Sequence, residues 1–203
     1  MFKDRVQAAQ ALAEKLHSYK DMKGVLVVGV PRGGVVTAAE VARILSLPLD
    51  IVVVRKLGHP WNPELAAGAV DADGEVTLNT QAGLSKEDIE VVAEREKGEI
   101  VRRIKEYKDG QVTDFKGKIV IMADDGIATG QTVIVAAKYI KRHGAAKVVV
   151  AAPVASPQAA EELSKIADEI VVLKQPENFM AVGQFYEDFP QVSDTEVKSL
   201  LGG

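Results

Sequence analysis

The 203-residue sequence has no cysteine, which removes disulfide frameworks, thiol nucleophiles and zinc–cysteine sites from consideration. Histidine is nearly as scarce. His17, His59 and His143 lie far apart, and no spacing among them makes a histidine metal site. Aromatic residues amount to 5%, with Trp61 the one tryptophan. An excess of one charge is also lacking: the formal net charge is −4, so no broad positive field favours nucleic acid, and an anionic ligand must be gripped locally. No apolar run approaches a membrane span, and the opening segment MFKDRVQAAQALAEKL carries an Asp and a Glu where a signal peptide needs an apolar core. The expectation is a cytoplasmic protein with no nucleic-acid or membrane partner. What remains is ordinary globular usage, 47% hydrophobic and 27% charged, in a length that suits one domain over residues 1–203.

Five β-branched runs organise the chain: residues 25–30 (VLVVGV), 49–54 (LDIVVV), 118–123 (KIVIMA), 147–152 (KVVVAA) and 169–173 (EIVVL). Such runs read as strands buried on both faces of a parallel sheet. Segments 34–45, 131–143 and 157–166 have helical length and composition, and strand alternating with helix predicts a doubly wound α/β fold. Gly144 fits a helix C-cap, and Ser156 followed by Pro157 fits an N-cap with proline at the first helical position.

Three segments depart from this alternation. An N-terminal helix places Phe2, Val6, Ala9, Ala13 and Leu16 on one face. Residues 57–80 begin as a loop containing Pro and Gly and end in a hairpin turning at Asp73-Gly74, the length and composition of a lid. His59, Trp61 and Glu64 lie on it; Trp61 reads as a loop-anchoring packing residue and His59 as a solvated loop residue rather than a catalyst. Residues 85–108 form a charged helix, with Ser85 and Asp88 in a capping-box relation and an apolar stripe of Ile89, Ala93, Ile100 and Ile104. It reads as a surface helix, with contact to a partner subunit as the alternative.

The most informative stretch is residues 120–132, VIMADDGIATGQT. A buried strand ends in Asp124-Asp125, and Gly126, Ile127, Ala128, Thr129, Gly130, Gln131 and Thr132 lead into a helix. A tight turn there aims successive backbone N–H groups into one hollow, and the helix start adds unpaired donors and a positive dipole end. Small residues admit a phosphate, and Thr129 and Thr132 add hydroxyls. The loop lacks the Gly-Lys-Ser/Thr ending of a P-loop and the three spaced glycines of a dinucleotide fingerprint. Two carboxylates beside an anion cradle make sense facing neutral hydroxyls or a cation. A ribose 5-phosphate meets both demands. Arg55 and Lys56, where run 49–54 ends, put two cations on the same sheet edge and suit a polyanion.

Residues 120–132 resemble the signature of the type I phosphoribosyltransferases: four apolar residues, two acidic ones, two mostly apolar ones, then a small residue, Thr, Gly, any residue and Thr. One departure is Gly126, where the family usually has a bulkier apolar residue, so a looser turn is expected. The resemblance implies a mainly parallel sheet with a flexible lid loop, about 57–80, and a small C-terminal hood, about 174–192. It implies binding of 5-phosphoribosyl-1-pyrophosphate with Mg²⁺, the metal held mainly through ligand oxygens and water. Asp124 and Asp125 would hold the ribose diol, Gly126 to Thr132 the 5-phosphate, and Arg32, Gly33, Gly34, Arg55 and Lys56 the pyrophosphate. Arg32 and Lys56 would count with the two aspartates as catalytic. A non-prolyl cis peptide is implied in the loop after the first strand, at Pro31-Arg32. The hood would cover the acceptor, with Phe179 stacking on it; the rival reading of Phe179, Phe185, Tyr186 and Phe189 is a small satellite core. Family members often form dimers, so a homodimer is one expectation.

The activity implied is transfer of the phosphoribosyl group to a nitrogenous acceptor with release of pyrophosphate. Ala128 stands where 6-oxopurine members carry a carboxylate, which turns the reading away from those enzymes and leaves the acceptor open. Within the family, the charged helix and hood look most like a small bacterial and archaeal branch whose acceptor is not known. Two alternatives stay open: a regulatory module that binds phosphoribosyl pyrophosphate or a nucleotide without catalysis, and a sugar-phosphate hydrolase using Asp124.

Overall fold

A computed structural model describes residues 1–59, 62–78 and 85–202, with the side chains of residues 59, 62–66, 86 and 87 outside the description. Trp61 and the side chains of His59 and Glu64 therefore lie outside the described residues.

The expected sheet forms. Strands β1 (Val25–Gly29), β2 (Leu49–Ile51), β6 (Ile119–Ala123), β7 (Lys147–Val154) and β8 (Glu169–Lys174) pair in parallel in the order β2-β1-β6-β7-β8. Side chains alternate between its faces. Val25, Val27, Ile121, Ala123, Val149 and Ala151 pack against α1 (Arg5–Lys15) and α2 (Gly33–Leu45). Leu26, Val28, Val120, Met122, Val148 and Val150 pack against α4 (Gln131–Arg142) and α5 (Pro157–Ser164). Each fully buried Val or Leu contributes about 1.5–3 kcal/mol, so both helical layers are held by the same β-branched runs that marked the strands. The caps form as read: the Ser156 side chain accepts from Ala159 N, and Gly144 takes φ +81° just past α4.

Run 49–54 is strand only as far as Ile51, which pairs with Gly29, the last residue of β1. Val52 donates one more hydrogen bond to Gly29 O, and there the partner strand ends. Val52, Val53 and Val54 stay buried but carry the chain into a second sheet. That sheet corrects the loop expected from residue 57. Strands β3 (Arg55–His59), β4 (Asn62–Val70) and β5 (Val76–Leu78) pair antiparallel in that order, with register irregularities beside Gly58. Leu57, Ala67, Ala69 and Val70 are buried, so the base of the ribbon belongs to the core. The hairpin turn falls as expected, with Gly74 at φ +89°. Asp71 closes it by accepting from the N–H groups of Asp73 and Glu75 at 3.0 Å, and Arg142 of α4 clamps Asp71 at 2.7 Å.

Helix α1 begins at its Asp4 cap, which accepts from Gln7 N at 2.8 Å. Phe2 consequently lies ahead of the helix, bridged to Tyr186, and Val6 is exposed. The buried face is instead Arg5, Ala8, Ala9, Leu12 and Ala13. Helix α3 (Lys86–Lys108) buries Ala93 and Ile100 as its stripe implied, joined by Val92, Glu96 and Tyr107, while Ile89 and Ile104 are half-buried. It shares a core with β3, β4 and the last helix, α6 (Asp194–Leu201). No helix among the described residues is long and apolar enough to cross a membrane.

Candidate functional site

In the order β2-β1-β6-β7-β8, the chain steps from β1 to one side for β2 and to the other for β6. The helices that follow β1 and β6, α2 and α4, lie on opposite faces. The two loops therefore splay apart at the carboxyl ends of adjacent strands, which is where open α/β sheets hold ligands. A cleft of about 540 Å³ opens there, within the range of small-molecule sites. A second cavity, beside Lys108 and Tyr139, measures about 20 Å³, room for little more than one water.

Asp124, Asp125 and Thr132 line the cleft from the β6 side. After Asp125 the chain re-pairs with the extension of β7 through Ile127 and Ala155. Ile127 turns its side chain into the core, at 1% exposed, so only its backbone belongs to the loop's working surface. Ser156 braces the turn, its N–H donating to Ile127 O and its hydroxyl to Ala128 O. Gly130 caps α4 at φ +73°, a conformation other residues rarely adopt. Among the described residues, nothing accepts from the backbone N–H groups of Ala128, Thr129, Gly130, Gln131 and Thr132. Gln131 Oε1 is also buried without a partner among them. Unpaired donors converging at a helix start are the physical substance of an anion cradle.

Both aspartates are perturbed. Burial pushes the Asp124 carboxyl well above the usual carboxylate range, and the adjacent charge of Asp125 adds to it. Asp124 Oδ1 meanwhile accepts from Asp125 N at 2.9 Å. Burial also raises Asp125, opposed by the hydrogen bond and charge of Arg5, whose Nε donates to Asp125 Oδ2 at 2.7 Å. Burial and the charge of Asp125 raise the Tyr186 hydroxyl, which donates to the Asp125 carbonyl.

The facing loop, residues 30–34, contains the cis peptide expected between Pro31 and Arg32. Its glycines are dictated by space. A Cβ on Gly33 would stand 2.2 Å from Asp125 Oδ2, and one on Gly34 would stand 2.6 Å from Asp124 Oδ1. The two loops meet so closely that any side chain would expel a carboxylate. Gly126 has a similar account, and the looser turn expected there is not what the structure shows. A Cβ on Gly126 would lie 2.4 Å from Val182 Cγ1 and 3.0 Å from Val154 Cγ2. Val182, from the short helical turn Val182–Phe185, fills the place of the absent side chain.

Four cations line the cleft: Arg5, Arg32, Arg55 and Lys56. Arg55 is held by buried Glu96 of α3 at 2.8 Å, and Arg32 lies 3.8 Å from Asp194 of α6. Lys56 is exposed and has no ion-pair partner among the described residues. Arg55 and Lys56 open β3 rather than ending a parallel strand. The C-terminal segment contributes Val182, Phe189, Pro190 and Val192. Phe179 is not among the cleft residues; it packs on Phe185 with ring centroids 5.0 Å apart, in a cluster with Phe2 and Tyr186. Phe179 thus packs within the C-terminal aromatic cluster, while Phe189 lines the cleft. Sequence reasoning missed Arg5. Its signal was a charged residue in register with Ala8, Ala9, Leu12 and Ala13 on a helix's apolar face.

An open α/β sheet thus brings an acidic pair, unpaired loop N–H groups and a ring of cations together at its switch point, the place where such sheets hold ligands. Residues 2–190 match the model of the phosphoribosyl transferase domain, and the chain belongs to that family. It is 41% identical over 206 residues to a Mycobacterium tuberculosis protein that carries a provisional phosphoribosyl transferase name, found in two strains. That match takes in 99% of this chain and 46% of the relative, so the chain spans about half the length of the curated relatives it matches. Among solved structures, the Thermus thermophilus protein TT1426 superposes with a TM-score of 0.82 at 42% identity, over 98% of this chain and 97% of that one. A purine phosphoribosyltransferase from Pyrococcus horikoshii shares the fold, with a TM-score of 0.51 at 23% identity over 93% of each chain.

Proposed function

We propose that the cleft binds 5-phosphoribosyl-1-pyrophosphate and that the protein transfers its phosphoribosyl group to a nitrogenous acceptor, releasing pyrophosphate. The observation that carries this reading is the junction of three chemistries on one sheet edge: unpaired N–H groups, paired carboxylates and clustered cations. The 5-phosphate takes the N–H groups from Ala128 to Thr132, with the Thr129 and Thr132 hydroxyls. The ribose diol lies on Asp124 and Asp125, which fixes C1 toward the opposite loop. Pyrophosphate meets Arg32, Lys56, Arg55 and the backbone of Gly33 and Gly34. Negative charge grows on pyrophosphate as the C1–O bond breaks, and cations already in place stabilise that charge without reorganising. Asp124 and Asp125 carry no nucleophilic duty here, which weighs against a hydrolase.

Mg²⁺ fits the cleft as a companion of the ligand. Asp124 and Asp125 are the cleft's only carboxylates among the described residues, and those residues offer no cluster of three or more metal-ligating side chains. A divalent ion would be held mainly by pyrophosphate oxygens and water, where it neutralises leaving-group charge. The acceptor enters beneath residues 174–192, against Val182, Phe189 and Pro190. Ala128 offers it no carboxylate, so a 6-oxopurine is disfavoured.

Calorimetric titration with phosphoribosyl pyrophosphate, with and without Mg²⁺, tests the reading beside an Asp124→Asn/Asp125→Asn variant. Binding strengthened by Mg²⁺ and lost in the variant is expected. A screen of nitrogenous acceptors for pyrophosphate release then separates a transferase from a module that only binds. Absence of binding at millimolar ligand would overturn the proposal.

A further inference from the structure

Arg5 stands on α1, outside both loops, yet its side chain lines the cleft and is only 9% exposed. Its guanidinium makes three contacts. Nε donates to Asp125 Oδ2 at 2.7 Å, Nη1 donates to the Pro190 carbonyl at 2.8 Å, and Cζ lies over the Phe189 ring, 3.7 Å from its centroid. Phe189 stacks on Tyr186 with centroids 4.9 Å apart, and the Tyr186 hydroxyl reaches back to the Asp125 carbonyl. Side chain and main chain of Asp125 are thus held from α1 and from the C-terminal segment together. Of the two Asp125 carboxylate oxygens, Arg5 takes Oδ2.

We propose that Arg5 is a positioning residue for the ribose subsite: it engages one oxygen of Asp125 so that the other is presented, ionised, to a sugar hydroxyl. The inference rests on the phosphoribosyl reading above. A terminal carboxylate torsion is broad and does not orient itself. Two adjacent buried carboxylates also disfavour each other's charge, so one of them protonates unless a fixed cation intervenes. Arginine suits that task, because its charge is permanent and its planar fork sets direction as well as sign. Stacking on Phe189 and the bond to Pro190 fix the fork itself. Arg5 also ties the wall over the acceptor to the floor under the ribose.

The test compares two probes on the wild-type chain, Arg5→Gln, Arg5→Lys, Asp125→Asn and the Arg5→Gln/Asp125→Asn pair, by calorimetry. Inorganic phosphate needs an anion subsite of the cleft but no diol site, whereas ribose 5-phosphate needs the cradle and the diol site. Arg5→Gln is expected to weaken ribose 5-phosphate about tenfold or more, the worth of a hydrogen bond to a charged group, and to leave inorganic phosphate unchanged. Arg5→Lys, which keeps the charge but loses the fork, recovers only part of the loss. Asp125→Asn loses a similar amount, and the double variant loses no more. Equal loss of both probes in Arg5→Gln and Arg5→Lys would make the role merely structural and overturn the proposal. Additive losses in the double variant would overturn it too. A wild-type chain that binds ribose 5-phosphate no better than inorganic phosphate would instead defeat the phosphoribosyl reading, and this inference with it.

Discussion

Restoring a side chain at Gly126 should destabilise the protein, and trimming Val182 should undo most of the damage. The Cβ of Gly126→Ala would sit 2.4 and 2.9 Å from the two Val182 methyls and 3.0 Å from Val154 Cγ2. Carbon atoms rest at about 3.5–4.0 Å, so the overlap with Val182 is an ångström or more. Val154 is fully buried on β7, whereas Val182 is half-buried on a short helical turn, and Val182 must give way. Overpacking of this kind costs about 1–3 kcal/mol. Val182→Ala alone removes two half-buried methyls and costs about 1 kcal/mol. In the double variant the two tightest contacts disappear, so its stability should match Val182→Ala, a coupling of about 1–3 kcal/mol. Urea denaturation of the four proteins measures this through the midpoints, provided the slopes agree. Additivity within about 0.5 kcal/mol would refute the claim that Val182 occupies the space Gly126 leaves.

Two further expectations concern buried carboxylates. Because burial raises the Asp124 pKa in the fold, its stabilising share is fully present below the unfolded value of about 3.9 and is lost as pH rises through the folded value. Asp124→Asn should therefore be more stable than wild type at neutral pH, with the advantage fading toward pH 4 on melting curves; an advantage that grows in acid would contradict the assignment. Asp71→Ala removes a 1%-exposed acceptor of two turn N–H groups and of Arg142. The loss should be about 2–4 kcal/mol, or about 5–15 °C in Tm at this size, with faster amide exchange in β4 and β5; an unchanged Tm would show that the clamp holds nothing.

The parallel sheet and its helices were legible because each signal is local: a β-branched run, an apolar stripe, a cap. The cradle and the acidic pair were legible for the same reason, since one segment carries both. The end of β2 was not, because it is set by the end of β1, more than twenty residues earlier. Gly58 and Pro60 disguised β3 and β4 as a loop, although pairing with a neighbour rather than composition decides whether such a segment is strand. Arg5 and Val182 escaped because their partners, Asp125 and Gly126, lie 120 and 56 residues away in the chain. Phe179 and Phe189 look alike in sequence, and only packing separates them.

The cleft draws on Arg5 near one end of the described chain and on Val192 near the other, and Phe2 and Lys3 pair through their backbones with Phe185, Glu187 and Asp188. On a ribosome the two halves of this seam emerge apart in time. At about 5–20 residues per second, roughly ten to forty seconds separate Arg5 from Pro190. Until residue 125 emerges, α1 carries an unneutralised cation beside its apolar face, and the aromatic wall that stacks on it follows later still. The seam is thus completed only after residues 185–190 have emerged, and a ligand that fits the cleft can report whether a newly made molecule has brought α1 and that segment together.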